Sequence, residues 1–299
     1  MNWFNTKNYG GTVVRNFRFL VVAVASIAAV LLLSGCTPNP EPTNTNTNTN
    51  TATNSATPTP TPTPVDFTFY YAADTPQGFK LFPEIHEIDD SSQLDVGALN
   101  GLVSGSEPPH DPDYRSLWGS GSTVNSVTIV GDTATVDLSL GTISLGADAE
   151  AVAISQIVWT LTKSNSTITK VRLTVDGLPV ETIAGHVDAT QIFKRGYASN
   201  DLNPVTISQP IDGQNIMGEV KVKGMACVFE ATIAWELLQN GEVIESGSTL
   251  ASEACPKNSP WSLNLGNLAT GSYTFRGFAL SPKDGLLLAE DTKDFTVTN

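Results

Sequence analysis

The stretch TVNSVTIVGDTATVDLS, residues 123–139, decides the fold of the first folded part of this chain. Apolar and polar residues alternate on both sides of Gly131-Asp132, a dipeptide that marks a tight turn. The apolar positions are Val124, Val127 and Ile129 before the turn, and Ala134, Val136 and Leu138 after it. The stretch therefore predicts a β-hairpin.

Helical and strand patterns flank this hairpin on both sides. Helical spacing of apolar residues predicts helices within 93–105 and 146–163, and the second has an acidic first turn that suits a helix N-terminus. Short runs at 67–72, 79–88 and 168–177 are typical of strands. The resulting order, β-β-α-β-β-α-β, predicts an α+β domain over residues 65–190.

Residues 203–299 show almost no helical pattern. Short alternating strands separated by Gly, Asn and Pro about every ten residues predict an immunoglobulin-like β-sandwich. Trp235, Trp261, Tyr273 and Phe275 lie at alternating strand positions, so we expect them in the sandwich core and not in a sugar-stacking platform.

The amino-terminal segment has the pattern of an export signal. Three basic residues and no acidic residue precede an apolar run at 20–33, which is shorter than most membrane spans. The run ends in LSGC, residues 33–36, which resembles the bacterial lipobox. The resemblance implies a lipoprotein signal peptide over 1–35 and a lipid on Cys36; an uncleaved anchor is the alternative. Acyl chains on Cys36 would hold the protein on a bilayer.

Residues 36–64 are rich in Thr, Asn and Pro and lack large apolar side chains after the cysteine. Such a composition cannot offset the entropy of folding, so we expect a disordered tether. The tether can act as a spacer that lifts the folded part off the membrane, or simply as a solubilising tail. The sequence leaves glycosylation of its threonines open.

The charge of the chain limits its partners. Its formal net charge is −14, and removal of residues 1–35 leaves 13 basic and 30 acidic residues, a charge of −17. Such an acidic protein repels phosphate backbones, which excludes nucleic acid as a partner.

Two cysteines remain after Cys36. In an exported chain we expect Cys227 and Cys255 to form a disulfide, with two free thiols as the alternative. Their spacing is too short for the bridge between strands B and F of antibody domains. It favours a clip between a strand and the loop at 252–261.

The sequence contains no nucleophile elbow, Walker loop or dinucleotide fingerprint. The three histidines are scattered, and His186 is expected at a strand end or in a loop and not as a ligand. Neighbouring carboxylates such as Glu84 and Glu87 are expected to be solvated. We therefore predict no catalytic residues, no cofactor and no metal.

The strongest local cluster is EPPHDPDYRSLW, residues 107–118. Three interpretations stay open: an ordered loop in which Arg115 pairs with Asp111 or Asp113, a loop that contacts a partner, and a hard-cation site. The candidate partner-contact residues are His110, Asp111, Asp113, Tyr114, Arg115 and Trp118.

Longer stretches carry a family resemblance. GFKLFPEIHEI, DPDYRSLW, VNSVTIVGDTATVDLS and VETIAGH occur in the order of the GerMN domain of sporulation and spore germination proteins, which the first folded segment resembles. NPVTISQPIDG, GSYTFRGFALSPKDG and EDTKDFTV resemble the immunoglobulin-like domain of bacterial spore germination. The resemblance implies an extracytoplasmic module that assembles through protein contacts, with no catalytic residues to transfer.

These observations predict a lipid-anchored, non-catalytic protein on the outer face of the bacterial cell membrane that contacts another envelope protein. The alternative is a lipoprotein that binds the cell-wall glycan peptidoglycan. An enzyme acting on wall material is a third class, which the absence of catalytic motifs disfavours.

Overall fold

The structure, a computed structural model, describes residues 64–89 and 93–298. The predicted signal peptide, the lipidation site Cys36 and all but the last residue of the tether lie outside these ranges. In the described ranges the longest helix has 18 residues, and none combines the length and hydropathy that a membrane span requires.

The first part of the fold follows the predicted order of elements. Its elements are β1 (Pro64–Thr75), β2 (Gly78–Asp89), α1 (Leu94–Ser104), β3 (Thr123–Val130), β4 (Thr133–Ser139), α2 (Ala147–Ser164) and β5 (Lys170–Val175). Strands β1 and β2 form an antiparallel hairpin. The predicted hairpin is β3–β4, and β5 adds to it parallel to β4.

Strand β1 lies between two hydrophobic clusters. Tyr70 and Ala72 face the cluster built on α2, β4 and β5, whereas Phe69 and Tyr71 face a smaller cluster with α1. A strand that is buried on both faces needs apolar residues at consecutive positions. This explains why residues 67–73 read as a nearly continuous apolar run.

The second part of the fold is almost entirely β. After α3 (Ala198–Asp201) come β6 (Val205–Gln209), β7 (Gln214–Met217), β8 (Glu219–Ala226), β9 (Thr232–Gln239), β10 (Glu242–Leu250), β11 (Ser259–Asn267), β12 (Gly271–Leu280) and β13 (Leu287–Thr298). They form a five-stranded sheet in the order β10-β9-β12-β13-β7 and a three-stranded sheet in the order β11-β8-β6.

One hydrophobic core joins these two sheets. It takes Trp235 and Phe275 from the larger sheet and Trp261 from the smaller one, and Tyr273 is buried with them. The expectation that these aromatic residues belong to the core is confirmed. Gly224 makes room for the Trp261 ring, because a Cβ at this position would lie 2.8 Å from two atoms of the indole.

A disulfide joins Cys227 to Cys255. Cys227 directly follows β8, and Cys255 lies in the loop between β10 and β11. The bond is therefore the predicted clip between a strand end and the loop, and the backbone N–H of Cys255 also donates to the carbonyl of Val228 at 3.2 Å.

Both parts of the fold belong to one compact unit. Backbone contacts cross between them: the N–H of Asn203 donates to the carbonyl of Leu81 at 3.0 Å. A side chain adds a further link, since the amide of Gln77 donates to the carbonyl of Leu288 at 3.0 Å.

Candidate functional site at the junction of the two parts

The segment that the sequence singles out, residues 107–118, connects α1 to β3 and is called here the junction loop. Asp111, Tyr114 and Trp118 are buried, whereas His110, Asp113 and Arg115 are exposed. The indole N–H of Trp118 donates to the carbonyl of Ala153 in α2 at 3.1 Å. Only the three exposed residues of the predicted contact set are therefore accessible to a partner.

The ordered-loop interpretation expects Arg115 to pair with Asp111 or Asp113, but within the described residues Arg115 forms neither ion pair. Its guanidinium forms an exposed ion pair with Asp74, and its backbone pairs in both directions with Ala72 at 2.8 Å. The loop thus lies along the end of β1, which brings Arg115 to Asp74.

Asp111 and Tyr114 belong to a buried group with Asp291 and Lys293 of β13, called here the lysine cluster. The Lys293 ammonium is 3% exposed and donates to the Asp111 carboxylate, to Tyr114 Oη at 2.6 Å and to Asp291 Oδ1 at 3.1 Å. The Tyr114 hydroxyl donates to Asp291 Oδ1 at 2.6 Å. This cluster connects the junction loop to the second part of the fold.

Burial and charge act in opposite directions within the lysine cluster. Burial alone would lower the pKa of Lys293, but the carboxylates of Asp291 and Asp111 outweigh it and raise that pKa. Burial raises the pKa of Asp291, although Lys293 and the N–H of Ile207, at 2.6 Å, favour its ionised form. Each charged group here has hydrogen-bonding partners, which is the arrangement that a buried ion pair needs to persist.

Asp291 and Lys293 are not among the candidate site residues that the sequence predicts. A signal was present, because both lie on the same side of β13 as the buried residues Ala289, Phe295 and Val297. Two opposite charges at inward positions of an alternating strand indicate a buried ion pair.

The other end of the junction loop contributes to a second group, called here the histidine cluster: Glu84, His86, Glu107 and His110. The ring N–H groups of His86 donate to Glu84 Oε2 from Nε2 at 3.0 Å and to Glu107 Oε1 from Nδ1 at 2.6 Å. The ring of His110 stacks on that of His86, with centroids 3.9 Å apart and 18° between their planes.

The junction loop fixes Glu84 through its backbone. The N–H of His110 donates to Glu84 Oε2 at 2.8 Å, and the N–H of Asp111 donates to Oε1 at 3.0 Å. Burial opposes ionisation of Glu84, but the hydrogen bonds from His86, His110 and Asp111 lower its pKa overall. Glu84 is thus a buried carboxylate in contact with residues of both clusters.

The two histidines have opposite pKa shifts. Burial disfavours the imidazolium of His86, but its hydrogen bonds to Glu84 and Glu107 outweigh burial and raise its pKa. For His110, burial and the neighbouring charge of His86 lower the pKa. The surroundings therefore favour the protonated form of His86 and the neutral form of His110.

These placements correct two sequence-based expectations. The histidines are not all scattered, because β2 and the junction loop bring His86 and His110 together across 24 positions of the chain. Glu84 is buried and not solvated, since His86 and two loop N–H groups bind its carboxylate. Glu87 is exposed, as expected. His186 lies exposed in a loop, also as expected, and its N–H donates to Glu150 at 2.8 Å.

The histidine cluster opens onto a cleft of about 670 Å³ between the two parts of the fold. His86, Glu107 and His110 line it from one side, and Ser208 and Lys223 line it from the other. By contrast, all four residues of the lysine cluster are buried. The structure also commits Asp111 to Lys293, so this carboxylate is not free to join a hard-cation site with Asp113.

The protein is mostly β with a few helices. Its N-terminal part combines strands with α1 and α2, and its C-terminal part consists mainly of two β-sheets. Residues 68–181 match the family model Germane, described as sporulation and spore germination. Residues 204–286 match Gmad2, the immunoglobulin-like domain of bacterial spore germination. The chain therefore carries a Germane domain followed by a Gmad2 domain, as the resemblance implied.

Matches among solved structures include a chain described as a lipoprotein from Clostridium perfringens, at 21% identity and a TM-score of 0.32, covering 44% of this chain and 87% of that chain. The first GerMN domain of the sporulation protein GerM from Bacillus subtilis is 24% identical, with a TM-score of 0.37 and coverage of 46% and 96%. The tandem GerMN domains of the same protein are 18% identical, with a TM-score of 0.37 and coverage of 69% and 62%. No curated protein matches.

Proposed function

We propose that this protein is a non-catalytic module of the bacterial cell envelope, related to sporulation and germination proteins, that acts by binding another envelope protein. In this proposal a lipid on Cys36 anchors it to the outer face of the membrane, and residues 37–64 act as the spacer. The second domain is an immunoglobulin-like sandwich of its two sheets. The family matches and the export pattern of residues 1–36 support this assignment.

The observation that carries the binding role is strand β10, at the edge of the five-stranded sheet. Nearly its whole length is exposed, and the apolar side chains of Val243, Ile244 and Leu250 are 51%, 52% and 65% exposed. An edge strand presents unpaired backbone groups that can pair with an extended segment of another protein.

Charge indicates the chemistry of the partner. Strand β10 carries Glu242 and Glu245 and no basic residue, and the protein as a whole is strongly acidic. We therefore expect an extended partner segment that combines apolar residues with lysine or arginine, and an interaction that weakens as salt increases.

A photo-crosslinking residue in place of Ser246, within the full-length protein in cells, tests this role. We expect a specific protein adduct that falls at least about tenfold when Ile244→Lys is added, because a lysine adds charge and hydration to the apolar edge. Val130→Lys is the matched control, since Val130 is exposed on β3 of the first domain. If Ile244→Lys and Val130→Lys reduce the adduct equally, or if neither changes it, β10 is excluded as the contact.

Two further measurements separate the parts of the proposal. Cys36→Ala should release the processed protein from membranes or stall its processing, and unchanged membrane fractionation in processed form would contradict the lipid anchor. The second measurement is sedimentation with purified peptidoglycan. Glycan binding would be favoured over a protein partner if the protein sediments in a way that depends on Ile244 and no protein adduct forms.

A further inference from the structure

We propose that the histidine cluster is a binding site for a divalent ion of the zinc type, with His86, Glu84 and His110 as ligands and one position open to the cleft. This site is independent of the proposed binding role of β10. It also departs from the prediction, made from the sequence, that the protein holds no metal.

The donor atoms already have nearly the spacing of a metal site. Glu84 Oε2 lies 3.0 Å from His86 Nε2 and 3.9 Å from His110 Nδ1, and the donor atoms of the three residues all lie within 4.8 Å of one another. Tetrahedral zinc with bonds of about 2.0–2.1 Å separates its ligand atoms by about 3.3–3.4 Å. The exposed side chain of His110 has to move to bring all three separations to this value.

His110 is the side chain that can make this shift. Its ring is partly exposed, and within the described residues it has the stack on His86 and the 3.9 Å approach to Glu84, with no ring hydrogen bond. Parallel stacked rings cannot both aim their lone pairs at one ion. Rotation of His110 out of the stack therefore accompanies binding, and the ion takes the place of the Nε2 proton of His86, which passes to solvent.

The surroundings of His86 match those of a metal-bound histidine. Such a histidine usually donates its other ring N–H to a carboxylate, which fixes the ring and raises its basicity. His86 directs Nδ1–H to Glu107 at 2.6 Å and Nε2 to the carboxylate of Glu84. Backbone N–H groups of His110 and Asp111 hold Glu84 in turn, so both buried ligands are oriented before the ion arrives.

The donor set selects the class of ion. Imidazole nitrogen suits zinc, copper and nickel, whereas calcium and magnesium prefer a shell of oxygen atoms. When His86 is neutral, the two negative charges of the Glu84 and Glu107 carboxylates balance the two positive charges of the ion. Three protein ligands and an open position are the pattern of a zinc site that retains water or takes a further ligand, and the cleft gives that position access to solvent.

Thermal unfolding of the full-length protein with zinc tests the site, and cobalt absorption reports its geometry. We expect the unfolding temperature to rise by about 5–10 °C at free zinc a hundredfold above Kd, and cobalt to give the visible bands of a tetrahedral site. Calcium should have neither effect.

Variants assign the ligands. His110→Gln should lower zinc affinity at least about tenfold, and Glu107→Gln, which alters a positioning residue, about 10–100-fold. His186→Gln is the matched control, because it removes an exposed histidine from a different loop. His86→Gln is a second ligand variant, but its burial makes it prone to misfold, so the exposed His110 is the primary one. No zinc-dependent shift in the wild type, or an equal loss in His186→Gln, would overturn the proposal.

Discussion

The junction loop supplies neighbouring residues to two polar clusters, His110 to the histidine cluster and Asp111 to the lysine cluster. In the lysine cluster the charged groups are buried and paired across the two domains. The histidine cluster has a similar mixture of charges, but it opens onto a cleft and its outer member, His110, has a ring without a hydrogen-bond partner among the described residues.

The difference shows how the same residue types acquire different roles. A buried charge that has all its partners stabilises one arrangement, and removal of one member leaves the others unpaired. A side chain at the solvent boundary, such as His110, has a ring nitrogen with no hydrogen-bond partner in the described part of the chain. It can exchange water for a ligand without leaving a buried charge unpaired. We therefore expect substitutions in the lysine cluster to affect folding and substitutions at the exposed edge of the histidine cluster to affect binding.

Lys293→Met should have the largest effect on folding. It leaves Asp111 and Asp291 buried without their cation, which is expected to lower the free energy of unfolding by about 3–5 kcal/mol. Urea denaturation of the full-length protein measures this loss. Lys223→Met, an exposed lysine of the same domain, is the control and should stay within about 0.5 kcal/mol. A loss below 1 kcal/mol for Lys293→Met would mean that the cluster does not hold the domains together.

Glu84→Gln should have an intermediate effect, about 2–3 kcal/mol at neutral pH, because the carboxylate accepts from His86, His110 and Asp111. The folded-state pKa of Glu84 is lowered from its ordinary value of 4.5. Its stabilisation is therefore present above about pH 4.5 and is lost as pH falls through the lowered pKa. Urea denaturation across this range should show the gap between wild type and variant closing in acid, and a gap that widens there would contradict the assignment.

Arg115→Ala should have a smaller effect, below about 1 kcal/mol, since the ion pair with Asp74 is exposed on both sides. The same denaturation series measures it. If Arg115→Ala lowered the free energy of unfolding as much as Lys293→Met, the exposed residues of the junction loop would matter as much for folding as its buried residues. That result would contradict the contrast between them.

Much of the first domain can be predicted from the sequence because its signals are local. The turn at Gly131-Asp132 and the alternation on either side specify the β3–β4 hairpin, and the apolar stripe of residues 147–164 specifies α2. The disulfide could be predicted because the amino-terminal pattern predicts export and two cysteines remain after Cys36. Aromatic residues at alternating positions, such as Trp235 and Phe275, indicate their own burial.

The two clusters could not be predicted because they depend on contacts between distant segments. His86 meets His110 only after β2 and the junction loop have folded, and Asp111 meets Lys293 across 182 positions. The sequence suggests the neighbouring acids Asp111 and Asp113 as partners of Arg115, yet its partner Asp74 lies 41 positions away. Local patterns report which face of a strand is buried, but not which segment covers it.

Thermal unfolding of wild type and His110→Gln across a zinc titration tests the contrast most directly. We expect equal unfolding temperatures without metal, because the exposed ring of His110 adds little to folding. With zinc, we expect a rise in the wild type that His110→Gln largely loses. A parallel rise in both proteins, or a large loss of stability in metal-free His110→Gln, would contradict the separation of a structural cluster from a binding cluster.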